Sequence, residues 1–105
     1  MSKRLRDIIA ELESTDASLC IVAKRPWQPD SEALLVRLTE DYRVPRDTLA
    51  QGYEYFLEVS VALDEVLNDL GSVLSIEQRM RAVLYYAEHD AYPEWLSNLR
   101  NPYRG

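Results

Sequence analysis

Tyr53-Glu54-Tyr55-Phe56-Leu57-Glu58-Val59 is the stretch on which the fold turns. Tyr53, Tyr55, Leu57 and Val59 alternate with Glu54 and Glu58. A period of two marks a strand with one buried and one wet face, because successive side chains point to opposite sides of a sheet. In that register Phe56 falls on the wet, acidic face between two glutamates, as a satellite contact or an interface anchor. The period then changes. Ser60 is placed to cap a helix, and Asp64 and Glu65 sit in its first turns, where negative charge is favoured. Leu63, Val66, Leu67 and Leu70 form its apolar stripe, and Gly71 stands where a left-handed C-terminal residue is wanted.

Toward the N-terminus, Ser18-Leu19-Cys20-Ile21-Val22-Ala23 and Ala33-Leu34-Leu35-Val36-Arg37-Leu38 are short apolar runs. They read as two strands, close enough in sequence to pair antiparallel. Pro26 and Pro29 make the segment between them a loop. Trp27 in that loop either folds back over the sheet edge or projects as a contact residue. Thr39 to Gly52 is a polar connection with a short helical turn expected around Arg46 to Ala50. Leu5, Ile8, Ile9 and Leu12 lie on one helical face, which predicts a first helix from about Lys3 to Glu13. Ser75-Ile76-Glu77-Gln78 has the form of a capping box. It opens a last helix with Ile76, Met80, Val83, Leu84 and Ala87 on its buried side, ending near Ala91 before Pro93. The expected fold is α+β: a three-stranded antiparallel sheet with three helices packed on one face, in the order α-β-β-β-α-α.

A length of 105 residues suits one domain, with a core from about residue 3 to 96 and a tail at 97–105. No apolar run approaches the ~20 residues that span a bilayer, and the basic Met1-Ser2-Lys3-Arg4 start is not followed by a signal-peptide core. One cysteine permits no internal disulfide. A cytoplasmic location is expected, with no membrane partner. The net charge of −6 argues against nucleic acid, which needs clustered lysine and arginine, and suits a basic protein partner. Between Arg46 and Arg79 there is no basic residue. The plain account of that window is a solvated face.

Chemistry finds little support. His89-Asp90 are adjacent and so point about 100° apart on a helix, which does not chelate one ion easily. A zinc site needs at least three protein ligands, and the chain has one histidine and one cysteine. Cys20 sits in an apolar run, where a thiol is a small core side chain. There is no phosphate-binding glycine loop. No catalytic residue, metal or cofactor is expected. Tyr85, Tyr86, His89, Asp90, Tyr92 and Trp95 cluster where the last helix ends. They either close the bottom of the core or form a contact surface, since tyrosine and tryptophan are favoured at interface centres.

Several segments come in a familiar order. They are Leu5-Arg6-Asp7-Ile8-Ile9, Leu19-Cys20-Ile21-Val22 with Trp27 after it, and Phe56-Leu57-Glu58-Val59 leading into Leu63-Asp64-Glu65-Val66. Leu84-Tyr85-Tyr86 then precedes Asp90-Ala91-Tyr92. From about Leu5 to Tyr92 the chain resembles a family of small acidic bacterial proteins described as a domain of unknown function. Proteins of this kind look like those found beside polymorphic toxins, where they act as immunity proteins. Arg43 and Arg46 depart from the more acidic loop that the resemblance implies at Thr39 to Gln51.

The resemblance implies a non-enzymatic binding protein that neutralises a basic toxin domain. Two sets of contact residues are candidates: Glu54, Phe56, Glu58, Asp64, Glu65 and Asp69 on the acidic side, and Tyr85, Tyr86, His89, Asp90, Tyr92 and Trp95 at the helix end. The alternative is a self-associating adaptor, a homodimer with Phe56 and Trp27 at a strand-edge contact.

Overall fold

The computed structural model describes residues 3–67, 70 and 73–100, with the side chains of 97, 98 and 100 set aside. Four antiparallel strands form one sheet: β1 (Lys3–Arg4), β2 (Cys20–Ala23), β3 (Glu32–Val36) and β4 (Glu54–Glu58). Their spatial order is β1-β3-β2-β4. Among the described residues five α-helices accompany them: α1 (Leu5–Ala10), α2 (Arg46–Ala50), α3 (Val59–Val61), α4 (Ile76–His89) and α5 (Glu94–Arg100). The fold is α+β, but the expected three strands and three helices are too few on both counts.

The extra strand has no side-chain signal. Lys3 and Arg4 pair with Ala33 and Glu32, and the Leu5 and Arg6 amides extend that contact to the Ser31 and Pro29 carbonyls at 2.9 and 3.0 Å. The pairing is made by the backbone, so an amphipathic reading runs through it as helix. The helix itself starts at Leu5 and gives way to a 3-10 turn at Leu12–Ser14. Leu5, Ile8, Ile9 and Leu12 are all buried, as their spacing requires.

β2 and β3 pair antiparallel from Cys20↔Val36 to Ala23↔Ala33, as their proximity predicts. All four β2 residues are buried, because the sheet is covered on both faces. Ile21 and Ala23 join the main core with α1, α4 and Phe56. Cys20 and Val22 join a smaller cluster with Val44 and Tyr53, laid over the second face by the segment that contains α2.

β4 carries the main departure from the expected pattern. Ile21 pairs with Leu57 but Val22 pairs with Tyr55, so Phe56 is the extra residue of a β-bulge. A bulge breaks the period of two. Phe56 and Leu57 both enter the main core, at 1 % and 5 % exposure, while Tyr55 is 43 % exposed. Phe56 therefore does not stand on a wet face.

The chain then winds directly into α3, whose N-cap is Glu58, not Ser60, with no side-chain capping bond. α3 continues as a π-helix over Ala62–Leu67. The wider winding buries Ala62, Val66 and Leu67 and leaves Leu63 half-buried. Gly71 and Asp69 lie outside the described residues. The capping box at α4 is complete: the Gln78 amide donates to Ser75 Oγ at 3.1 Å, and the Ser75 amide donates to Gln78 Oε1 at 2.9 Å. α4 stops at His89, because Asp90 takes the left-handed conformation (φ 52°) and closes the helix with a 2.7 Å bond from its amide to the Tyr86 carbonyl.

Arg79 locks α4 to α1. Its side chain is 10 % exposed and forks onto Glu13 at 2.5 and 2.6 Å, while Nη1 also donates to the Ile9 carbonyl at 3.3 Å. The guanidinium thus satisfies a carbonyl at the end of α1, where helical partners run out. Its hydrogen bond to Glu13 is the main reason that carboxyl lies below its usual pKa.

Candidate functional site

Trp27 is the centre around which the helix-side aromatics gather. It folds back over the sheet, meeting Phe56 edge-on at 4.9 Å between centroids, and its indole Nε1 donates to the Ala23 carbonyl at 3.3 Å. Arg25 stacks over the outer face of the ring, 3.7 Å from its centroid. The same guanidinium reaches Glu54 of β4 at 3.3 Å and Glu88 of α4 at 3.7 Å. Strand, loop and helix are tied together at this point by one cation–π contact and two half-exposed ion pairs.

Two clefts share Trp27 as a wall. One, of about 340 Å³, runs between β4 and α4 and is lined by Tyr55, Val61, Tyr86 and Asp90 among others. The other, of about 360 Å³, is lined by Leu84, Tyr85, Glu88, Pro93 and Trp95 among others. Tyr85 is 41 % exposed and lies 4.5 Å from the His89 ring. Tyr86 lies 5.3 Å from Tyr92. The Tyr86 hydroxyl is held above its usual pKa by burial first, then by Asp90 and neighbouring groups. Tyr92 donates from its hydroxyl to Glu65 Oε2 at 3.2 Å, bringing the π-helix into the same surface.

The two sets of candidates separated in sequence are thus partly joined. Glu54 connects to the helix end through Arg25 and Glu88, and Glu65 through Tyr92. Glu58 does not join them. It pairs with Cys20, whose side chain belongs to the second face, whereas Glu54 pairs with Ala23 of the main core. The bulge has put the two glutamates on opposite sides of the sheet. Phe56 lies beneath the surface as its support. Asp64 is exposed on the π-helix. His89 is exposed at the last turn of α4, where its ring packs on Tyr85. Arg25 is the residue that sequence reasoning left out of the site, and Trp27 is one it weighed only as a loop contact and a strand-edge self-contact, apart from the helix-end aromatics. The two prolines flanking Trp27 were the signal, since they keep its loop out of regular pairing.

The groups present constrain the chemistry. Among the described residues, no three His, Cys, Asp or Glu side chains are grouped to hold a metal ion. Cys20 is buried, and burial, with the Glu58 charge adding to it, pushes its thiol up to about 12. A thiol so far from ionising is a poor nucleophile. No helix among the described residues is long and apolar enough to cross a membrane.

Neither the curated proteins nor the solved structures contain a significant match to this chain. A family profile does match, over residues 2–95, which takes in all four strands, α1 to α4 and every residue of the two Trp27 clefts. The description of that family names no activity and nothing in it points to toxin immunity. On the extent of that match the chain belongs to the family described as Domain of unknown function (DUF7716).

Proposed function

We propose that the protein is a non-enzymatic, cytoplasmic protein-binding module, and that it binds through the helix-side surface centred on Trp27. The observation that carries this reading is the pair of adjacent clefts that share Trp27. Tyrosine and tryptophan line both, Phe56 lines the one between β4 and α4, Glu88 lines the other, and the Arg25 ion pairs to Glu54 and Glu88 lie beside them against Trp27. An aromatic centre with a polar rim is the anatomy of a protein interface. The narrower proposal is neutralisation of a basic toxin domain. The net charge of −6 supports it, because complementary charge speeds encounter and rejects wrong partners. The self-associating alternative loses its anchor, since Phe56 is 1 % exposed.

The test places a photo-crosslinking amino acid at position 85, or at exposed position 40 as control, in the full chain expressed in the source organism. A protein partner captured from position 85 and not from position 40 is the expected result. It should be lost when Glu88→Lys is added. Equal capture from both positions, or capture of only a second copy of the chain, would overturn the reading.

A further inference from the structure

The opposite face of the sheet has a hollow with two arginines, most of whose lining the reading above does not use. A cleft of about 560 Å³ lies there, lined by Tyr42, Arg43, Arg46, Leu49 and Tyr55. Tyr42, Leu49 and Tyr55 are 81 %, 49 % and 43 % exposed, which places three of the chain's large exposed apolar side chains around one hollow. Neither Arg43 nor Arg46 has an ion pair among the described residues. The carboxylate that also lines the cleft is Glu54, and Arg25 already engages it. A protein of net charge −6 thus presents a locally cationic, aromatic hollow.

The loop that forms it is held in place. Tyr42 sits at φ 59°, a conformation that costs energy in a residue other than glycine. Three bonds sustain it: the Tyr42 amide to the Thr39 carbonyl at 2.8 Å, the Arg43 amide to Thr39 Oγ1 at 3.2 Å, and the Thr39 amide to the Arg43 carbonyl at 2.9 Å. The turn spends strain to keep a tyrosine in water beside two arginines.

The cleft also borders an open strand. β4 ends the sheet, and among the described residues no strand pairs with its outer side. Tyr55 of β4 lines both this cleft and the one between β4 and α4. An added strand would send alternate side chains to the two faces of the sheet. One set would meet Arg43, Arg46 and, at the far end of β4, Glu58, and the other would meet the apolar floor beside Val61 and Tyr86. A second copy of β4 is a poor occupant. It would bring its own Glu54, which stands on the helix side of the strand, to the side where the occupant needs apolar side chains.

The geometry points to a strand-addition site: β4 takes an extended segment of a protein partner, with carboxylates on its second-face side and apolar side chains on its helix side. This is recognition by main-chain pairing with side-chain pockets on alternate faces. It shares the β4–α4 cleft with the helix-side surface but not the cleft of Tyr85 and Trp95, so capture from position 85 and strand addition on β4 can fail separately.

The probe is a synthetic capped peptide of alternating valine and aspartate, compared with its valine–lysine counterpart, each titrated into the full chain at physiological salt and followed by amide NMR. The aspartate peptide should bind at least roughly tenfold more tightly, a rim-charge discrimination of the usual size. Its shifts should map to residues 42–46 and 54–58. The double variant Arg43→Glu, Arg46→Glu, exposed at both positions, should keep the wild-type spectrum elsewhere and reverse the preference. Equal binding of the two peptides, no binding at millimolar concentration, or shifts confined to α4 and α5 would overturn the assignment.

Discussion

Replacing Arg79 by methionine should cost about 2.5 kcal/mol of stability. Methionine keeps an apolar stem at a site where the side chain is 10 % exposed, so the loss falls on the guanidinium's bonds. A hydrogen bond to a charged group contributes about 1.5–3 kcal/mol, and Glu13, at 53 % exposure, places the fork at the low end of that range. The Ile9 carbonyl, left without its donor, adds roughly 1 kcal/mol. For a domain of this size a melting shift of about 4–8 °C accompanies each kcal/mol, so Arg79→Met should melt on the order of 15 °C lower. Glu13→Gln should cost only about 1 kcal/mol, because a half-exposed carboxylate is already screened. The double variant should be less destabilised than the sum of the two singles.

The same pair sets an acid limb. The Glu13 carboxyl is lowered from 4.5 in the folded chain, chiefly by the Arg79 hydrogen bond. Its contribution is fully present above 4.5 and is lost as pH falls through the lower folded value. Urea unfolding of wild type and Arg79→Met between pH 7 and pH 3 should show the gap narrowing below that point. An Arg79→Met protein within ~0.5 kcal/mol of wild type at pH 7, the range of an ordinary surface change, would refute the reasoning.

Two further outcomes follow from the core. Phe56→Ala should destabilise by about 3–5 kcal/mol in denaturant titration, as for a fully buried aromatic, and a change near zero would restore the regular register that puts Phe56 in water. Cys20, with its thiol near 12, should stay unlabelled by a thiol reagent at pH 8 in the native protein and react fully in urea; labelling at the unfolded rate without denaturant would contradict its burial.

What the sequence made legible follows from where its signals are local. The α1 stripe, the α2 turn and the Ser75 capping box depend on neighbours within a few residues and the β2–β3 pair on two apolar runs joined by one loop, and all are present. β1 was hidden because two charged residues are made a strand by a partner about thirty positions away. The bulge was hidden for a similar reason. Nothing in Tyr53 to Val59 says that Ile21 and Val22 will skip a residue of β4, yet that skip reverses the roles of Tyr55 and Phe56. Site legibility shows the same division. The helix-end aromatics are contiguous in the chain and were readable as a group, whereas the Arg25 link between Glu54 and Glu88 and the Tyr42–Arg46–Tyr55 cleft exist only after folding.

The bulge at Phe56 has a consequence for how the family's members should vary. Glu54 and Glu58 are four positions apart but belong to different neighbourhoods, one answering to Arg25 and Glu88, the other to Tyr55 and Cys20. Substitutions at 54, 25 and 88 are expected to travel together across homologues, while 58 drifts on its own. Loss of one residue at the bulge would be inherited as a regular strand, with Tyr55 still opposite Val22 and Leu57 opposite Ile21 but the core without the aromatic that Phe56 supplies.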